Sequence, residues 1–352
     1  MIVVLADDLS GAAELAGIAR LRGLTAEVQS VFHPATEAAV LCVDTDTRLL
    51  PADAAARRVS VIATAVAAAR PDWIFKKCDS VLRGSVLAEA RAVVQATGLT
   101  RLLLVPANPS RDRVIRDGLY FVAGRPLHET SFAHDPTHPR TTSRVVDLLD
   151  GDRNDLKIPD IGSPDEVLQQ ATAVDSATLP VGGADFFTAL LILRTSPPAP
   201  APVAAPAAGP TLLVCGSTAA WSQRSREAAT QGVPGFSLPH DSSAIAQALA
   251  AKGTVLLGIG DGPASQAQPP AVLSDQLTQT VLRVLGATRV TRLMIEGGAT
   301  AAAILHALPW TRLSATQVIG DVAVLAPIGG DGPAFFIKPG SYAWPAALWW
   351  DR

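Results

Sequence analysis

Short apolar runs, each breaking off into a polar motif and followed by a stretch of helical periodicity, recur along the chain. In the first half they lie at residues 2–5, 39–43, 73–75 and 102–105, with helical patterns at 12–20, 52–69 and 86–95. In the second half they lie at 211–214, 255–257 and 293–295, with helical patterns at 219–229, 244–251, 275–285 and 300–308 and a last apolar run at 334–337. Strands that are apolar on both faces must be covered on both faces, and parallel strands need crossover connections between them. The alternation therefore predicts an α/β fold of mostly parallel sheets flanked by helices. The tryptophan-rich tail is expected to pack against this framework.

One segment interrupts the pattern. Residues 197–210 read PPAPAPVAAPAAGP, six prolines in fourteen residues. Proline lacks a backbone donor and favours extended geometry, so this stretch suits neither a packed helix nor a central strand and reads as a linker. Two lobes are expected, residues 1–196 and 211–352. At 352 residues and 48% hydrophobic composition there is enough chain for two cores, and a wholly disordered protein is excluded.

Lys and Arg number 29 against 32 Asp and Glu, a net charge of -3. That balance lacks the basic footprint of a nucleic-acid binder, so no nucleic-acid partner is expected. Cys42, Cys78 and Cys215 lie far apart without a CxxC or Cys/His cluster, which points to buried free thiols rather than zinc or disulfides. No apolar stretch approaches the ~20 residues that span a bilayer, and the N-terminus carries no basic region. No membrane partner is expected, and the reading is of a soluble, cytoplasmic protein.

In folds of this class ligands gather beyond the carboxyl ends of strands, where the polar motifs fall. The first is LADDLSGAAE, with Asp7, Asp8, Ser10 and Gly11. Two adjacent carboxylates are costly to bury in an apolar core. They suit a metal, a substrate hydroxyl or a general base, and helix capping is the structural alternative. The second is FKKCDSVLRGS, with Lys76, Lys77, Asp79, Ser80, Arg83 and Gly84. Arg83 offers a two-pronged fork for a small carboxylate; a solvated charged loop is the plainer reading.

Residues 106–136 read as a long functional loop in which Arg111, Arg113, His128, Glu129, Thr130 and Asp135 supply donors and acceptors. His128 and His134 lack a third metal ligand at useful spacing. In LCVDTDTR, Asp44 and Asp46 match the aspartyl-nucleophile pattern of haloacid-dehalogenase-type phosphatases. The acidic pair Asp7-Asp8, however, precedes that pattern, where such phosphatases carry theirs after it. In the second half, Gly216 and Ser217, and then Gly297, Gly298, Ala299 and Thr300, occupy strand-to-helix turns whose free N–H groups suit phosphate oxygens. Plain helix entry is the alternative, and no GxxxxGK[ST] loop is present. Lys338, Gly340 and Ser341 form one more expected tight turn.

Taken together and in this order, ADDLSGA (6–12), DTDTR (44–48), KKCDSVLRG (76–84), PANPSRDR (106–113), GLYFVAGRPLHETSFAHDP (118–136), CGS (215–217), EGGATA (296–301) and KPGS (338–341) resemble the four-carbon acid sugar kinase family. The resemblance implies an ATP-dependent kinase for threonate, erythronate or 3-oxo-tetronate, with an N-terminal sugar-acid lobe, a C-terminal nucleotide lobe and the active site in the cleft between them. It implies that Asp8, Asp79, Ser80, Arg83 and Gly84 surround the acid and that Ser217, residues 297–300 and Gly340 contact ATP. Asp7, Lys77 and Arg113, from the same motifs, complete the expected acid-binding set. Asp8, or second to it Asp79, is expected to accept the hydroxyl proton, with Mg2+ bridging phosphate oxygens and no direct metal ligand assigned. The expected partners are the acid and ATP, with a homo-oligomer allowed. Ser10 stands for the threonine of DDLTG, Asp112 for a glycine before Arg113, and Ala343 for a glycine after Ser341. A haloacid-dehalogenase-type phosphatase built on Asp44, or a non-catalytic effector, are the rival readings.

Overall fold

Residues 1–135, 137–149, 151, 156–196, 208–338 and 344–348 are described by the computed structural model, in which the chain divides into two compact units, Met1–Ala201 and Pro202–Arg352. Residues 197–207 of the proline-rich segment, together with Gly340, Ser341 and Ala343, lie outside the described residues.

In unit 1 the apolar runs become strands because each is buried along nearly its whole length. The order is β1 (Ile2–Ala6), α1 (Leu9–Leu21), β2 (Ala26–Gln29), β3 (Val40–Asp44), α2 (Ala52–Ala68), β4 (Trp73–Lys77), α3 (Val86–Thr97) and β5 (Arg101–Val105). It continues through β6 (Arg113–Arg116), β7 (Leu119–Val122), β8 (Arg125–Pro126), β9 (Leu156–Lys157), α4 (Pro164–Thr172), β10 (Thr178–Gly182) and α5 (Ala184–Arg194). The main strands pair in the order β2-β3-β1-β4-β10-β5-β9, all parallel. Phe75 at the centre of β4 is fully buried against Phe186 and Phe187 of α5, with ring centroids 6.0 and 5.2 Å away. An aromatic side chain removed from water in this way contributes about 2–3 kcal/mol.

The register decides where the polar motifs meet. Ala6 pairs with Asp44 on β3 and with Lys77 on β4, so the loops after these three strands leave the sheet at one level. The chain leaves β1 toward β2 on one side and leaves β4 toward β5 on the other. That reversal between neighbouring strands opens a crevice of the kind that binds ligands in α/β sheets.

Unit 2 repeats this logic. It runs β11 (Thr211–Cys215), α6 (Thr218–Thr230), β12 (Gly235–Phe236), α7 (Ser242–Lys252), β13 (Thr254–Gly258), α8 (Pro263–Gln266), α9 (Pro270–Ala287), β14 (Arg292–Glu296), α10 (Gly298–His306), β15 (Arg312–Ile319), β16 (Val322–Pro327) and β17 (Ala334–Lys338). Its strands pair in the order β12-β13-β11-β14-β17-β16-β15, with β16 antiparallel to both neighbours. The reversal falls between β11 and β14, directly beside the two glycine-containing turns. Trp344 packs into the core of this unit with Leu213, Met294, Val324 and Phe336, as expected of the tail.

One expectation is corrected. Residues 106–136 are not a plain loop: β6, β7 and β8 form a three-stranded antiparallel sheet within them. Of the acidic pair, Asp8 caps α1, and the Ser10 hydroxyl donates to Asp8 Oδ2 at 2.6 Å. All three cysteines are buried and free.

Candidate functional site

The unit 1 motifs converge on one residue, Arg48, which follows β3 in the DTDTR motif. Its Nε donates to Asp7 Oδ2, its NH2 lies 3.1 Å from Asp8 Oδ1, and its NH1 lies 3.3 Å from Asp79 Oδ1. The Asp7 carbonyl in turn accepts the backbone N–H groups of Thr47 and Arg48 at 2.9 and 3.0 Å. Asp8 is the N-cap of α1, accepting the Gly11 N–H at 2.8 Å. Asp79 takes five donors: Arg48 NH1, Arg83 Nε at 3.0 Å, Arg83 NH2 at 2.8 Å, and the N–H groups of Val81 and Arg83 at 3.1 and 3.2 Å.

Around this centre, Gly84 sits at φ 84°, in the left-handed region that favours glycine, against the Arg48 backbone. Arg113 NH1 donates to Ser80 Oγ. Asp112 holds φ 52°, in the left-handed region, which aspartate tolerates better than most side chains. Lys77 points inward instead, its ammonium donating to the Cys78 carbonyl at 2.7 Å and lying 3.6 Å from Glu14. Below it, the Lys76 ammonium meets Glu89 at 2.9 Å, both side chains fully buried.

The charges sort these carboxylates by chemistry. Burial opposes ionisation of Asp79, but the Arg83 and Arg48 guanidiniums hold it well below the ordinary range. Asp7 is likewise held down by Arg48, Lys76 and Lys77 against the effect of burial. Asp44 goes the other way. Burial, with Asp8, Asp46 and Asp7 nearby, outweighs its hydrogen bond from the Asp46 N–H and pushes it up to about 8. Asp8 is the accessible member of the adjacent acidic pair, its side chain 21% exposed against 3% for Asp7.

In unit 2, Ser217 caps α6 by accepting the Ala220 N–H at 3.2 Å. A Cβ on Gly216 would stand 1.8 Å from Thr300 Oγ1, so only glycine lets the two turns close on each other. Gly297 enters α10 at φ 106°. Ser217 and residues 297–300 are thereby brought to one end of the unit 2 sheet, where the N-termini of α6 and α10 adjoin. Gly340 lies outside the described residues.

Next to these turns lies a buried ionic group that the sequence did not announce. Glu296 at the end of β14 receives Arg224 at 2.9 and 3.2 Å, Lys338 at 3.1 Å and the Trp344 indole N–H at 3.2 Å. Lys338, expected near a ligand, is instead fully enclosed, and burial lowers its pKa in spite of Glu296. Arg48 was also missed as the centre of the unit 1 site; its signal was the register of three strand ends, which emerges only on folding. Among the described residues no three His, Cys, Asp or Glu side chains gather as a metal-ligand set.

Part of this chain is similar in sequence to known proteins, and its fold is similar to solved ones. D-threonate kinases of Salmonella typhimurium and Bordetella bronchiseptica are 32% and 37% identical to it over 158 and 156 residues, in each case 42% of this chain. These stretches make up 36% and 38% of the two relatives, so the chain spans little more than a third of their length. Other relatives are named D-erythronate and 3-oxo-tetronate kinases. A solved Haemophilus influenzae protein of the DUF1537 family matches the fold with a TM-score of 0.74, 15% identity and 98% of each chain covered. The model of the sugar-binding N-terminal domain family matches residues 2–179, half of the chain and the stretch that carries the Arg48 cluster, and the chain belongs to that family.

Proposed function

We propose that this protein is an ATP-dependent kinase that phosphorylates a terminal hydroxyl of a four-carbon sugar acid of the threonate, erythronate or 3-oxo-tetronate type. The observation that carries the reading is the Arg48-centred cluster at the strand reversal of the unit matched by the sugar-binding family. The names of the relatives, all sugar-acid kinases, support the reaction class.

In this reading Arg83, Ser80, Arg113 and the turn at Gly84 receive the acid, with the Arg83 guanidinium 29% exposed and able to fork a carboxylate. Asp8 accepts the hydroxyl proton, since it is accessible and already oriented by Gly11 and Ser10. Asp79 is the weaker base because its five donors stabilise the ionised form; its part is to hold Arg48 and Arg83 in place. Asp7 locks Arg48 from below, and Lys77 contributes positive charge beneath the acidic loop rather than a direct contact. Ser217, Gly297, Gly298, Ala299, Thr300 and Gly340 take the nucleotide phosphates. Mg2+ would arrive with ATP, and the chemistry it would supply is neutralisation of phosphate charge. Phosphoryl transfer then asks the protein for alignment and charge neutralisation, not for covalent chemistry.

The phosphatase reading requires Asp44 as an ionised nucleophile. With its carboxyl pushed up to about 8 and buried at 2% exposure, Asp44 is mostly protonated at neutral pH and enclosed. Release of ADP from MgATP, measured against D-threonate, D-erythronate and 3-oxo-tetronates, tests the kinase. Turnover that needs one of these acids and is lost in Asp8→Asn and Arg83→Ala supports it. Absence of both turnover and ATP binding sinks it.

A further inference from the structure

Arg83 already holds an anion on its solvent side. After β8 the chain makes two 3-10 turns, Leu127–Glu129 and Ser131–His134, and returns to the site at three points. The Phe132 ring lies 5.7 Å from the Arg83 guanidinium and 5.6 Å from that of Arg113. His138 Nε2 donates to the Arg48 carbonyl at 2.9 Å. Between them, Asp135 Oδ2 accepts Arg83 NH1 at 3.0 Å. The two oxygens of Asp135 divide their work: Oδ1 accepts the N–H groups of Thr137 and His138 at 3.0 and 2.8 Å and so folds the turn.

The placement matters because the cluster is not short of negative charge. Lys76 and Lys77 are matched by Glu89 and Glu14. That leaves the carboxylates of Asp7, Asp8, Asp79 and Asp135 against the guanidiniums of Arg48, Arg83, Arg113 and Arg140, the last donating to the Leu82 and His138 carbonyls at 2.9 Å each. Burial opposes ionisation of Asp135, but the hydrogen bonds from His138, Thr137 and Arg83 keep its carboxyl below the ordinary range, so it is charged at neutral pH. An incoming acid adds one more carboxylate to a group whose guanidiniums are already matched by carboxylates. Asp79 cannot yield, being enclosed at 8% exposure by five donors. Asp135, 16% exposed and carried outside the sheet, can.

We propose that Asp135 is an internal counter-anion that competes with the substrate carboxylate for Arg83 and so sets the affinity of the site for acids. The assignment rests on the reading that Arg83 receives the carboxylate. When the acid binds, Arg83 NH1 exchanges Asp135 for the ligand while Nε and NH2 remain on Asp79. The residue thus discriminates against weakly held anions: an acid must offer hydroxyl contacts as well as a carboxylate to displace a tethered competitor.

The test is calorimetric titration of the whole chain with D-threonate and D-erythronate, without ATP. Asp135→Asn keeps an oxygen for the Thr137 and His138 N–H groups and turns an amide toward Arg83; Asp135→Ser keeps the turn acceptor and removes the competitor. Binding that is about three- to fivefold tighter in both variants is expected, as for release of a partly exposed ion pair. The gain should vanish when Arg83→Ala is added. Weaker or unchanged binding in both folded variants overturns the proposal, as does binding by neither the wild type nor the variants. Tighter binding with neither ADP release nor ATP binding would leave Asp135 as assigned and sink the kinase reading; ADP release with unchanged affinity would do the reverse.

Discussion

Arg48 serves three carboxylates on two loops, and the consequences of removing it differ from those of removing its neighbours. Arg48→Ala leaves Asp7 ionisable, 2% exposed and without its principal counter-charge. Loss of one member of a buried pair costs about 3–5 kcal/mol, and a urea melt should show a loss of that size. Arg83→Ala leaves Asp79 with Arg48 and two backbone donors, so the same melt should lose only about 1–3 kcal/mol while acid binding is lost. Asp44 carries a pH signature. Its folded pKa, about 8, lies above the ordinary aspartate value, so between about pH 4 and 8 the folded chain holds a proton that the unfolded chain has released. The stability due to Asp44 is full below that window and is lost as pH rises through it, with a slope of up to about 1.4 kcal/mol per pH unit. Asp44→Asn should flatten that part of the stability–pH curve and, in the kinase reading, leave acid-dependent ADP release in place. The motifs holding these residues are visible in the sequence because carboxylates and arginines at strand ends are chemically conspicuous. Which carboxylate is held down and which is pushed up is not, since that depends on whether Arg48 or an apolar wall stands beside it.

At the scale of elements, the strands that announce themselves are those apolar on both faces: β1, β3, β4, β5, β11, β13 and β14. β2 does not, because AEVQ buries Glu27 and Gln29, whose hydrogen bond to each other at 2.7 Å is a product of folding. β10 carries Pro180 inside TLPVG, and β15 alternates buried and half-exposed residues against β16. The small sheet of β6 to β8 hides behind charged residues that face solvent. Helix starts follow the same division. Asp8→Ala should remove the cap of α1 and cost about 1 kcal/mol beyond any effect on turnover, visible as a lower melting temperature without ligand. In unit 2, Gly216→Ala would drive a methyl into Thr300. ATP affinity should fall in that variant, and Gly216→Ala with Thr300→Ala should recover part of it by removing the obstructing hydroxyl and methyl groups; calorimetry with ATP reads both.

For the whole molecule, the two units carry the same device, loops that leave neighbouring strands in opposite directions, but furnish it with different chemistry. Unit 1 lines its crevice with carboxylates and guanidiniums, and unit 2 lines its own with glycine and hydroxyl side chains. If each binds its own ligand, Arg83→Ala should lose the acid and keep ATP, whereas Gly297→Val should lose ATP and keep the acid; a variant that loses both would contradict this division. The alternation of apolar runs was enough to foresee the α/β class, because covering a doubly apolar strand leaves few alternatives. The furnishing of each crevice was only partly legible, because Glu296, Arg224, Lys338 and Trp344 come from segments far apart in the chain. The thiols distribute themselves over the same two units. Burial pushes up Cys42, raises Cys78 to about 12 and Cys215 to about 11, so none presents a thiolate while the fold is closed. A maleimide or iodoacetamide adduct can form only during an opening event, and peptide mass spectrometry assigns each adduct to its cysteine. Adducts on Cys42 and Cys78 clock the opening of unit 1 and those on Cys215 the opening of unit 2, so the unaltered chain carries an internal stopwatch for each half.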